Sequence, residues 1–333
     1  MALTLKENMQ MVLDHKEPEY MPMWQDFDMA LPRGLDYVNE CPCVPGVNKD
    51  WFGQSWTYEP TIKAANPTPG SYLFEDITMW KDVMKFPDLD RLDWEKHAAE
   101  DTADWDRDRR INRVTIGYGL WERMFCVMPF QEALCALVEE PEACYDFFGA
   151  VADHKIRLHE YIIKYYKPDM IVLHDDYGSN SGMFMSPEVW RSLIKPHLKR
   201  VIDHVTSHGV IYEHHCCGYL APILEEIADL GAISFNSAHI SNNIPELKKR
   251  IGHKIAFLGG FDTQYVDAVN VTDEQALKSA RDTIDQLAPG GSWVPRFMIT
   301  DPHKIEIINR EIIRYGAEKY YGTRPKEYCE MYI

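Results

Sequence analysis

From about residue 165 onward the chain alternates short apolar runs with longer amphipathic segments, and this rhythm restricts the fold more than any other feature. The apolar runs are 170–173, 210–212, 233–235, 255–258 and 293–297. Between and after them, segments 187–208, 220–230, 244–251, 272–287 and 303–315 carry apolar residues at helical spacing. Strands alternating with helices in this way predict a parallel sheet. Each run is followed by polar, chemically capable residues: His174, Asp175 and Asp176, then Glu213 to Cys217, then Asn236 and His239, then Asp262, then Arg296 and Asp301. The carboxyl ends of all strands converge on one face in a closed (β/α)8 barrel, and active sites lie there. The reading is therefore an α/β chain, a TIM barrel forming a single domain over 1–333. Its amino-terminal half adds a helical and aromatic elaboration, with an insertion over about 31–110.

That half is less regular. Residues 3–13 predict a short helix, 20–26 a first strand with Asp26 at its tip, and 113–118 another strand. Met and aromatic residues crowd 121–130, a composition typical of core. Residues 31–80 are rich in Pro, Gly, Trp and Tyr and fit either a lid over the barrel mouth or an ordinary packed excursion. Cys41 and Cys43 have no evident partners there. Segment 88–110 mixes both charge signs around isolated tryptophans, as a solvated helix or linker face does.

A formal charge of −17 excludes a partner held by its phosphate backbone, because such binding relies on lysine and arginine. With no leader-like start and no apolar run of about 20 residues, the chain reads as soluble and cytoplasmic, with no membrane partner. Its eight irregularly spaced cysteines favour reduced thiols or metal ligands over a disulfide framework.

The densest chemistry lies in Val210-Ile211-Tyr212-Glu213-His214-His215-Cys216-Cys217-Gly218. On a strand, Glu213, His215 and Cys217 project to one side and His214 and Cys216 to the other. A carboxylate, an imidazole and a thiolate in phase suit zinc, and three protein ligands leave the fourth position that catalytic zinc requires. The competing reading is structural: cysteines buried as small hydrophobes and a His pair hydrogen-bonded at a strand end.

The order HDDYGS at 174–179, FMSPEVW at 184–190, His-x-Cys-Gly at 215–218, AFLGGFDT at 256–263 and RYG at 314–316 resembles the uroporphyrinogen decarboxylase superfamily. The match covers the last half well and the first half loosely. The resemblance implies a single barrel and one of two chemistries, porphyrinogen decarboxylation or zinc-dependent methyl transfer involving a corrinoid. Decarboxylases of the family carry an arginine-rich Trp-Met-Arg-Gln-Ala-Gly-Arg type motif; the corresponding stretch here, 22–28, has no arginine. A substrate bearing many carboxylates needs those cations. The His-x-Cys-Gly motif points to the methyltransferases and implies that His215 and Cys217 are zinc ligands. A later Pro-Gly-Cys turn of the coenzyme M enzymes is replaced by Ala288-Pro289-Gly290-Gly291-Ser292, so Glu213 is the expected third ligand. An oxygen ligand in place of a thiolate suits an oxygen-bearing substrate.

The resulting expectation is an O-demethylase-type methyltransferase. It would move a methyl group from a small methylated compound, an aryl ether above all, to the cobalt(I) corrinoid of a partner protein. Asp176 and Tyr177, in the family's Asp-Tyr-Gly segment, are expected to be catalytic together with His174 and Asp262. Asn236, His239, Trp24 and Arg296 are the substrate-binding candidates, Arg296 for an acidic substituent. The rivals are a decarboxylase or lyase of the same fold, a methyl-corrinoid:thiol methyltransferase and a non-catalytic corrinoid- or metal-binding accessory protein. Homodimerisation is left open.

Overall fold

The computed structural model describes residues 2–32, 42, 45–61 and 63–329; Cys41 and Cys43 lie outside them. Seven parallel strands form one curled sheet: β1 (Asp28–Ala30), β2 (Asn112–Ile116), β3 (Met170–His174), β4 (Ile211–His215), β5 (Ser234–Ala238), β6 (Ala256–Gly259) and β7 (Trp293–Val294), hydrogen-bonded in that order. The ladder pairings among the described residues link these seven in sequence, with β1 and β7 at the two ends. Side chains draw those ends together. The ring of Trp24, just before β1, lies beneath the guanidinium of Arg113 on β2 at 4.6 Å and that of Arg296, past β7, at 4.7 Å.

Period-two alternation divides the strand residues between two apolar clusters. Met170, Val172, Ala256, Leu258 and Val294 pack with Met9, Val12 and Leu13 of helix α1 (Leu5–Leu13) in a small inner cluster. Their neighbours Ile171, Leu173, Tyr212, Phe235, Phe257 and Trp293 join the large cluster shared with the surrounding helices. A one-residue slip would exchange the two sets, so burial on both sides fixes the register. Helix α1 begins with a capping box between Thr4 and Glu7.

The helices after the strands are those the sequence spacing predicts, among them α4 (Lys195–Ser207), α5 (Asp273–Leu287) and α6 (Pro302–Lys319). Among those that precede them are α2 (Leu120–Val127) after β2, and α3 (Pro141–Tyr166), 26 residues with Pro141 in its first turn and Lys167 left-handed at its end. Residues 20–26 do not form the expected first strand. Tyr20 makes one isolated bridge to Gly322, Trp24–Asp26 is a 3-10 turn, and the strand follows at Asp28–Ala30. Asp26 is no strand-tip acid, since its buried carboxylate receives Arg324 Nη1 at 3.0 Å.

Within the insertion, Val47–Lys49, Ser55–Glu59 and Ala64–Pro67 form a small antiparallel sheet. Asp50 receives Arg123 of α2 at 3.2 Å and Trp56 Nε1 at 2.9 Å, so this excursion rests on the helix that follows β2. Helix Trp94–Asp101 buries Trp94, stacked on Tyr161 of α3 at 4.6 Å, and Ala98, while most of its charged residues face solvent. No helix among the described residues is long and apolar enough to cross a membrane.

Candidate metal centre

Strands β3 and β4 pair in a register that sets His174 directly beside His215, both in the inward phase. Their rings stack with centroids 4.1 Å apart. Beyond the strand ends, Cys217 donates its backbone N–H to Asp176 Oδ1 at 2.6 Å, and Cys217 Sγ lies 3.4 Å from His215 Nε2. The result is a cluster of two imidazoles, a carboxylate and a thiol from His174, Asp176, His215 and Cys217, whose donor atoms lie within 4.8 Å of one another. Zn–N bonds near 2.1 Å and Zn–S bonds near 2.3 Å place tetrahedral donors roughly 3.4–3.8 Å apart, so a small contraction would close this set on a cation.

The surrounding residues hold the cluster in shape. Glu122, in the first turn of α2, takes His174 Nδ1 at 2.6 Å and leaves Nε2 as the nitrogen available to a metal. Asp175 accepts the N–H groups of Leu120 at 2.8 Å and Glu122 at 2.9 Å, tying that helix start to the end of β3. Asn242 donates Nδ2 to the Gly218 carbonyl and accepts N–H groups of Leu220 and Ala221. Gly218 has φ +81°, and a Cβ there would lie 2.4 Å from the Gly178 carbonyl oxygen. Gly218→Ala should therefore destabilise the protein by about 1–3 kcal/mol and displace Cys217. A lower urea midpoint with reduced metal content would show this, and an unchanged value of either would refute it.

Burial drives down the pKa of His215, helped by the charges of His174, Arg296 and Arg113, so its imidazole is neutral and able to ligate. Burial also acts to lower His174, but the carboxylate of Glu122, with those of Asp176 and Asp175, outweighs it and pushes the ring up to about 10. Asp176 rises to about 7 through burial and the nearby Glu122 charge, and the Cys217 thiol to about 12 through burial and Asp176. A divalent cation favours the anionic forms of both and so opposes these shifts. The mixture of soft, borderline and hard donors with a carboxylate behind one imidazole is a donor set that could hold a divalent metal ion.

A cavity of about 430 Å³ opens beside the cluster, with His174, His215, Asn236, Arg113, Arg296 and Trp24 in its wall. Glu213 is in the phase read from the sequence, but each of its oxygens is engaged. Arg113 Nε and Asn236 Nδ2 donate to Oε1 at 3.2 and 3.0 Å, and Ser234 Oγ to Oε2 at 2.9 Å. It lies outside the four-donor group, which takes His174 and Asp176 from the neighbouring strand end instead. Cys216 faces away as expected, buried, with its sulfur receiving the Tyr177 N–H.

The remaining candidates separate. Tyr177 is buried in the helix-side core and stacks on His214 at 5.5 Å, away from the cavity wall. Asp262 caps the short helix Thr263–Val266, accepting the Tyr265 N–H at 3.1 Å, and His239 Nδ1 is 2.8 Å from Ser241 Oγ. Neither lines the cavity. Sequence reasoning missed Glu122 and Arg113. Each had a signal, a single acid inside an aromatic helix and a single cation inside an inward-facing strand.

The family model described as Uroporphyrinogen decarboxylase (URO-D) matches residues 118–319. The methylcobamide:CoM methyltransferase MtaA of Methanosarcina barkeri is 27% identical over 133 residues, 38% of this chain and 37% of that protein, so the aligned stretch spans little over a third of the relative. A solved methyltransferase from Methanosarcina mazei superposes with a TM-score of 0.62 at 13% identity, covering 94% of this chain and 99% of its own; at that identity it speaks for the fold. The cluster and the strand ends that carry it lie within the matched segment, and the chain belongs to the uroporphyrinogen decarboxylase family.

Proposed function

We propose that this protein is a zinc-dependent methyltransferase that moves a methyl group from a small methylated compound, an aryl methyl ether above all, to the cobalt(I) corrinoid of a separate protein. The observation that carries the reading is the His174, Asp176, His215 and Cys217 cluster at the strand ends, opening on a cavity large enough for a substituted benzene ring. His215 and Cys217 would hold the metal with Asp176 or His174, leaving a position for the substrate. Zinc held there would supply Lewis-acid polarisation of the oxygen that carries the methyl group.

The chain's own groups do the rest. Glu122 fixes the His174 ring, Asp176 fixes the Cys217 backbone, and Asn236 stands in the cavity wall beside His215. A methyl carbon presented toward the open mouth is exposed to attack from the side opposite its oxygen. As the carbon–oxygen bond breaks, both electrons of that bond stay on oxygen. The mouth must therefore admit substrate and protein partner together. Decarboxylation of a polycarboxylated tetrapyrrole is disfavoured by charge: of the two arginines in the wall, Arg113 is already neutralised by Glu213.

The test supplies zinc-loaded protein with cobalt(I) corrinoid and a panel of aryl methyl ethers, methylamines and methylthiols. Methyl-cobalt formation should appear in the visible spectrum with an ether donor and disappear on chelation of zinc. Transfer from none of the donors, or full transfer without zinc, would overturn the reading.

A further inference from the structure

Among the described residues, Arg296 carries a positive charge with no carboxylate paired to it. Its guanidinium lines the cavity beside the metal cluster and lies over Trp24 at 4.7 Å. Nη1 donates to Ser237 Oγ at 2.8 Å and Nη2 to the Met298 thioether at 3.2 Å, and the buried Nε has no hydrogen-bond partner among the described residues. Nε and Nη2 form one edge of the planar fork, the edge that binds a carboxylate through two parallel hydrogen bonds. A thioether is a weak acceptor, and Met298 is 72% exposed, so its sulfur can yield that place at little cost.

The neighbouring cation does not share this vacancy, because Arg113 is matched by Glu213 and held by Thr115. The two guanidiniums converge on one tryptophan, and burial together with the charge of Arg113 lowers the pKa of Arg296. The charged groups that act on Arg296 are Arg113, Cys217 and Glu213. Glu213 is spent on Arg113, and the Cys217 thiolate would be spent on the metal. Asp101 also lines the pocket, but its carboxylate takes the Tyr166 hydroxyl at 2.8 Å and, among the described residues, forms no ion pair with Arg296, whose positive charge thus stands unpaired in the same wall as His174 and His215.

Resting on the function proposed above, we infer that the substrate is an anion: a methyl donor bearing one carboxylate, which the Nε–Nη2 edge of Arg296 grips in place of Met298 while the methylated heteroatom faces His215 and Cys217. The residue is then a determinant of which donors enter, and Trp24 positions it.

The experiment measures binding by calorimetry on zinc-loaded protein without corrinoid, using 3- and 4-methoxybenzoate, methoxyacetate and trimethylglycine, each against its amide. At least one acid should bind roughly 10- to 100-fold tighter than its amide, the scale of a charge-assisted bidentate contact. Arg296→Gln should erase that preference. Arg296→Lys keeps the charge without the fork and should retain part of it, which preserves a readout should the glutamine variant fail to fold. If no acid out-binds its amide, or the preference survives in Arg296→Gln, the inference falls. Methyl transfer from neutral donors with no acid preference would sink the anion site alone. A preference that depends on Arg296, with no transfer from any donor, would sink the methyltransferase reading alone.

Discussion

Alanine at His215 or at Cys217 should bring bound zinc from about one per chain to near zero and abolish methyl transfer, whereas alanine at Cys216 should leave zinc in place. Removing one of three or four protein ligands takes away a bond that the remaining donors cannot replace. Cys217 Sγ stands 3.4 Å from His215 Nε2 and shares the cluster with His174 and Asp176. Cys216, one residue earlier, points into the core and receives the Tyr177 N–H. Elemental analysis of the three purified variants decides the matter. Zinc retained in Cys217→Ala but lost in Cys216→Ala would mean that the chain beyond β4 presents the other thiol.

The second large effect concerns stability. Glu213→Ala should destabilise the protein by about 3–5 kcal/mol, because it strands the Arg113 guanidinium in the interior without its counter-charge. Ser234 and Asn236 lose an acceptor at the same time. Replacing both partners, as in Glu213→Leu with Arg113→Met, should recover most of the loss, since a well-packed apolar pair in place of a buried ion pair is often neutral. Urea midpoints for the single and double variants test this. Zinc content separates two roles for Glu213: folded Glu213→Gln protein that keeps its zinc confirms the carboxylate as an anchor for Arg113, and zinc loss without unfolding would restore it as a ligand.

The barrel strands from β3 onward were legible because both faces of each strand are buried and the runs are short, apolar and closed by polar residues. The inward phase of Glu213 and His215 was legible for the same reason, since alternation along a strand is a local property. What one residue meets across the sheet is not local. Glu213 finds Arg113 a hundred positions away, and nothing in the 210–218 stretch announces that its acid is already taken. His174 and Asp176 were visible as strand-end residues, but their place beside His215 and Cys217 depends on which strands adjoin. Glu122 stood out as a lone acid among aromatic residues, but its bond to His174, 52 positions on, is again not local. The misplaced first strand has a similar origin: residues 20–24 are apolar and resemble a strand, yet Asp26 is committed to Arg324 at the other end of the chain, and the turn at Trp24–Asp26 takes the place of a ladder.

The pairing of His174 with His215 is part of the hydrogen-bonded register between two central strands, and loops contribute little to it. The two faces of this pocket therefore answer to different kinds of change. The placement of the donor pair is inherited with the sheet itself, and the two positions can be drawn apart only by disturbing the ladder. The opposite wall is built from Trp24 and Arg296 at the two edges of the sheet, where single substitutions leave the ladder intact. A lineage keeping this scaffold could thus exchange one bound compound for another by rewriting its margins, with the donor cluster carried along unchanged.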